Sequence, residues 1–250
     1  MWTRWIGATG LVAMLSSTGA LAFPVRHGPF LPGEEPTAWV ATCTATRDDA
    51  SDVTFSVMAG DTSLHLVSSE GQVRAQVLEG EQATSPRVDT GIELALADDV
   101  AAQAVCQDLN HDGRVDFVAT VWRHGNGLGA SFHDRLIALS SAAGYRFWRL
   151  QTMDPGPADF VRFAADEVLL ITTQFASTGE PRPRSYLVHE LWRFQGGAVV
   201  AATDARADFP KWVRYTLREN HAAAPELGPE EKRALRAQLD APESLDQAAP

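Results

Sequence analysis

The sequence predicts an all-β protein with one helix near its C-terminal end. Three observations point there. Apolar residues alternate with polar ones in short runs. Those runs are separated by tight turns rich in Gly, Asp and Ser. Helix-entry chemistry appears clearly only late, at Gly228-Pro229. A period of two is the signature of a half-buried strand, and Gly or Asp between such runs marks hairpin turns.

In chain order, Met1–Ala22 reads as a secretory signal peptide. Arg4 lies in a short basic start, Ile6 to Leu15 is a short apolar core, and Ala20-Leu21-Ala22 is an A-x-A end. The apolar run is shorter than a membrane span and is broken by Gly7 and Gly10. After removal of the leader no stable membrane anchor is expected, and the predicted location is periplasmic or secreted. Residues 23–36 hold four prolines and read as an extended entry segment. A β domain is predicted over 37–215, and a helix and tail over 216–250.

Within the β domain, Trp39, Val40 and Cys43 open the strand signal. Val53, Phe55 and Val57 alternate, then Leu64 and Leu66, then Val73, Ala75 and Val77. Turns at Gly60-Asp61 and Ser69-Gly71 separate them, so these runs form a meander. Ile92, Leu94 and Leu96 alternate next, and Phe117–Trp122 is an apolar run. Leu136–Leu139 and Tyr145–Leu150 flank a hairpin tip, Val168–Phe175 is a strand, and Tyr186–Phe194 pairs with Ala198–Ala202. About eleven strands fit, in sets of three or four. That spacing suits a β-propeller-like ring of small blades, a sandwich or barrel, or an irregular multi-sheet meander. Pro229, then Glu230 and Glu231, then Arg233 and Arg236 match the rules for helix entry and exit. Asp240–Pro250 reads as a frayed tail.

Composition narrows the function classes. Apolar residues make up 45% and charged residues 21%, so the chain is globular rather than disordered or fibrous. The formal charge is −11, which disfavours a nucleic-acid partner. Cys43 and Cys106 are the two cysteines, and a disulfide between them is expected in an exported chain.

One segment carries chemistry. Asp108-Leu109-Asn110-His111-Asp112-Gly113-Arg114-Val115-Asp116 has the form D-x-N-x-D-G-x-x-D. Asp108, Asn110 and Asp112 alternate, so their oxygens can converge as the chain wraps. Gly113 permits the sharp turn, the Arg114 carbonyl can point inward, and Asp116 closes the set. Calcium asks for six to eight such oxygens. The first half matches an EF-hand loop, but Ala119 stands where that loop needs a glutamate, and the flanks read as strands.

The segment therefore resembles the calcium loop of FG-GAP and VCBS-type repeats, found in β-propellers. The resemblance covers about ten residues and the following strand, and it implies a structural calcium ion between two strands. A narrower resemblance is to periplasmic inhibitors and immunity proteins that block lysozyme-like cell-wall hydrolases. Ser141, Gly144 and Tyr145, at a hairpin tip, are the binding candidates this implies, although their spacing departs from the S-x-x-G-x-x-Y form. A basic hydrolase would be an electrostatically suitable partner for an acidic chain.

No catalytic residue is assigned, because G-x-S-x-G, H-E-x-x-H and C-x-x-C are all missing. The pairs His133-Asp134 and His189-Glu190 point to opposite faces of a strand and do not converge. Trp122, Trp148, Trp192 and Trp212 read as core or as a binding face. The expectation is an exported, calcium-stabilised binding protein. A secreted hydrolase whose carboxylates meet only in three dimensions, and a structural envelope protein, stay open as alternatives.

Overall fold

The computed structural model describes residues 42–49, 53–93, 100–122, 131–164, 167–179, 183–215 and 227–246. The leader, the entry segment, Trp39, Val40, Leu94 and Leu96 lie outside the described residues.

The strands are β1 (Thr42–Asp49), β2 (Val53–Ala59), β3 (Thr62–Ser69), β4 (Gln72–Glu79), β5 (Gln82–Ala83), β6 (Val88–Glu93), β7 (Val100–Gln107) and β8 (Asp116–Trp122). They continue as β9 (Phe132–Ser141), β10 (Gly144–Met153), β11 (Phe160–Ala164), β12 (Glu167–Ser177), β13 (Ser185–Gln195), β14 (Ala198–Ala201), β15 (Lys211–Tyr215) and β16 (Glu243–Ser244). One helix, α1 (Pro229–Arg236), precedes β16. The all-β prediction with a single late helix holds, in its irregular multi-sheet form. The described strands close no barrel or propeller ring.

All the pairings are antiparallel. Strand β1 does two jobs. Thr42–Thr44 pair with β7, whereas Ala45–Asp49 pair with β2. One ladder of eleven strands therefore bends at β1 into a first sheet, β1–β6, and a middle sheet, β7–β10 with β16. A third sheet holds β11–β15, with β14 and β15 sharing the same edge of β13.

The middle sheet is covered on both sides. Phe117, Leu136, Ala138, Tyr145 and Phe147 pack on Phe55, Leu64, Leu66, Val73 and Val77 of the first sheet. Val118, Ile137, Leu139 and Leu150 pack on Phe160, Leu170, Trp192 and Phe194 of the third. This explains why Leu136–Leu139 reads as an unbroken apolar run: a strand buried on both faces has no polar alternation. By contrast β4, which has one solvated face, alternates cleanly.

Helix α1 covers the other end of the same face of the third sheet that meets the middle sheet. Leu227, Leu235 and Leu239 pack on Tyr186, Val188 and Trp212. Arg236 pairs with the buried Glu190 at 3.0 Å. Beyond it, Gln174 holds the Asp240 backbone by two hydrogen bonds, at 2.7 and 2.8 Å. The predicted frayed tail is therefore corrected over Asp240–Asp246. Its residues run as β16 along β10, and Leu245 is buried. The alternation test could not find this strand, because Glu243-Ser244 has no strand character of its own.

Candidate metal loop

The loop lies between β7 and β8, and its side-chain oxygens accept the loop's own backbone N–H groups. The Asp108 carboxylate accepts the N–H groups of Asp112 at 3.1 Å and Gly113 at 2.8 Å. Asn110 Oδ1 also accepts the Asp112 N–H, at 3.1 Å. Asp112 Oδ1 accepts the Arg114 N–H at 3.0 Å. Wrapping this tightly needs left-handed backbone at His111 (φ 60°) and Gly113 (φ 84°). Glycine adopts that conformation without penalty.

Asp116 organises the loop from inside. It is fully buried, and its two oxygens accept four bonds. Oδ2 takes the N–H groups of Leu109 (2.7 Å) and Asn110 (3.2 Å). Oδ1 takes the Ser140 N–H (2.6 Å) and faces the Ser140 hydroxyl (2.7 Å). Burial pushes its carboxyl up to about 6, against the pull of these donors.

Ser140, on β9, was not a sequence candidate, and nothing in its local sequence marks it. Its hydroxyl also faces Asp112 Oδ1 at 2.8 Å. A hydroxyl has one proton, so it cannot donate to Asp112 and Asp116 together. Two carboxylate oxygens thus stand around one donor. Asn110 completes the link by donating to the Ser140 carbonyl at 2.7 Å.

Among the described residues no three His, Cys, Asp or Glu side chains converge in a metal-holding arrangement. The lone pairs of Asp116 already face protein donors. The oxygens with remaining capacity are those of Asp108, Asn110 and Asp112. Together with the Arg114 carbonyl they form an all-oxygen donor set, the chemistry a hard cation takes.

The three hairpin candidates are held within the fold. Tyr145 is 5% exposed, packs on Phe117, and donates its hydroxyl to the Val115 carbonyl at 2.8 Å. Burial pushes its phenol up to about 12. Arg114 stacks over its ring at 4.9 Å and donates to the Ser141 carbonyl at 3.0 Å. Ser141 donates to the Gly144 carbonyl at 2.7 Å. Gly144, at φ 107°, lies so close to the Thr84 carbonyl that a Cβ would sit 2.9 Å from it. The exposed residues at this tip are Ala142 and Ala143. The loop and the tip are one clamped unit.

The disulfide Cys43–Cys106 is present, with Cα atoms 5.9 Å apart. It joins β1 to β7 two residues before Asp108. Of the tryptophans, Trp192 and Trp212 are core, and Trp148 is partly buried against the core between the middle and third sheets. His133, Asp134, His189 and Glu190 are all buried. A cleft beside Glu190, Trp192, Phe209 and Arg236 has a volume of about 10 Å³, room for one water. No helix among the described residues is long and apolar enough to cross a membrane. No family model, curated protein or solved structure matches the chain.

Proposed function

We propose that the chain is an exported binding protein whose loop Asp108–Asp116 holds a structural calcium ion. The Ser140 junction carries this reading. Two carboxylates share one hydroxyl proton there, at 2.8 and 2.7 Å. A divalent cation beside Asp112 would relieve the repulsion between these two carboxylates. Asp108, Asn110, Asp112 and the Arg114 carbonyl would hold the ion. Asp116 would keep its role as the loop's inner acceptor, coming close enough to add an oxygen only if Ser140 turned away.

When bound, the ion supplies charge neutralisation. The chain's own residues do the rest. Asp116 fixes the loop to β9, and Arg114 and Tyr145 fix the loop to the β9–β10 tip. A stiff tip lowers the entropic cost of binding. The partner class in this reading is a basic cell-wall hydrolase, matched by the net charge of −11.

Two measurements separate the parts. Calorimetric titration with calcium should show one site in the wild type and none in Asp112→Ala. Immobilised protein should bind a lysozyme-type hydrolase in a salt-sensitive way and reduce its activity. Heat from calcium without hydrolase binding would remove the partner and keep the metal.

A further inference from the structure

The segment Glu243–Asp246 sits on the edge of β10 as a short ligand would. Glu243 and Ser244 pair with Arg149 and Trp148. Each of the neighbouring contacts reads a different feature. Glu243 meets the Arg149 guanidinium at 2.5 Å. The Leu245 N–H donates to the Phe147 carbonyl at 2.9 Å, and its side chain, 5% exposed, enters the core between the first and middle sheets. Asp246 Oδ1 accepts the Phe147 N–H at 3.1 Å.

The receiving side is held by groups outside the segment. Arg149 donates to the carbonyls of Thr90 (3.2 Å) and Gly91 (2.9 Å) on β6. Its position is therefore set by the first sheet. A Cβ at Gly91 would lie 2.8 Å from the same guanidinium nitrogen, so the close approach depends on glycine. Phe147 offers both its N–H and its C=O toward this edge, where among the described residues β10 has no neighbour but the two-residue β16. An edge strand whose outward backbone groups bond a short added strand is the general form of a strand-addition site.

The occupant's hold is slight. Its ladder covers two residues, Glu243 is exposed, and a single leucine is buried. Elements with few buried contacts open locally far more often than the whole fold unfolds.

We propose that this edge is a peptide-binding slot for an extended segment of the pattern acid–x–leucine–acid from another protein, and that the chain fills it with its own Glu243–Asp246. Arg149 takes the first acid, the Phe147 backbone orients the strand, the core cleft takes the leucine, and the Phe147 N–H takes the second acid. The slot is independent of the metal loop, and its test does not involve calcium.

The probe is a fluorescein-labelled peptide with the sequence of residues 241–248, read by anisotropy against the full chain. Leu245→Ala weakens the internal occupant. This variant should bind the peptide at least tenfold more tightly than the wild type. Replacing the peptide's leucine with alanine should abolish saturable binding, and adding Arg149→Gln to the variant should weaken it about tenfold. Equal affinity for wild type and variant, or indifference to the peptide's leucine, would overturn the proposal. Should near-ultraviolet circular dichroism show that Leu245→Ala has lost its native packing, the double variant Glu243→Gln, Asp246→Asn makes no core cavity. It must then show the same gain over the wild type, and failure to do so is equally decisive.

Discussion

Asp116 shows how much one side chain can do in this loop. It accepts three backbone N–H groups, and the bonds from Leu109 and Ser140 are buried. Asp116→Ala is expected to cost about 3 kcal/mol, because buried donors would be left unpaired. Asp108→Ala, without added cation, should cost about 1 kcal/mol, since its donors are exposed. Urea unfolding of the two variants checks the ordering. The motif spacing brought both residues forward as equal ligands. Their difference comes from burial and from β9, which are tertiary facts. His189 is a second residue-scale case. Burial holds its imidazole down to about 4, and one ring nitrogen has no hydrogen-bond partner among the described residues. The unfolded chain binds a proton near the ordinary value of about 6.5. Between those values the unfolded state carries more protons, so this group makes stability fall as pH drops. Relative to His189→Gln, the wild type should lose stability from pH 6.5 to 4 and show no differential slope above pH 7.

At the scale of elements, alternation worked where one face meets water and failed where it does not. The strands β2, β3 and β4 were legible because Val, Phe and Leu alternate with polar residues. Strand β7 was not, since Val-Ala-Ala-Gln-Ala-Val carries small residues with little strand preference. Its strand state comes from pairing with β1 and β8 on either side. The entry and exit signals at Pro229 and Arg236 coincide with the ends of α1, which then passes into turns. Two predictions belong here. Leu235 is 2% exposed beneath the helix, and Leu235→Ala should cost about 2–4 kcal/mol in urea unfolding. Replacing Cys43 and Cys106 together by serine should cost about 2–4 kcal/mol, because the disulfide closes a long loop between β1 and β7. A reducing agent should reproduce that loss in the wild type and add nothing to the double variant.

For the whole molecule, the ordering of three layered sheets is the feature that composition could not supply. Strand counts gave sets of three or four, which fit a ring of blades as well as an open stack. The distinction rests on β1, which pairs with both β2 and β7 and makes two sheets continuous. The middle sheet then receives both neighbours, and the Asp108–Asp116 loop, the β9–β10 tip and the disulfide are all built on it. A cation at Asp108–Asp116 would therefore stabilise the layer that the other two depend on. Thermal unfolding of the chain with calcium, and then with excess chelator, tests this most directly, with Asp112→Ala run beside it. Calcium at a hundred times its dissociation constant contributes about 2.7 kcal/mol, so the account predicts a rise in Tm of about 5–10 °C that the variant lacks. A wild-type Tm that does not respond to calcium or chelator would contradict it.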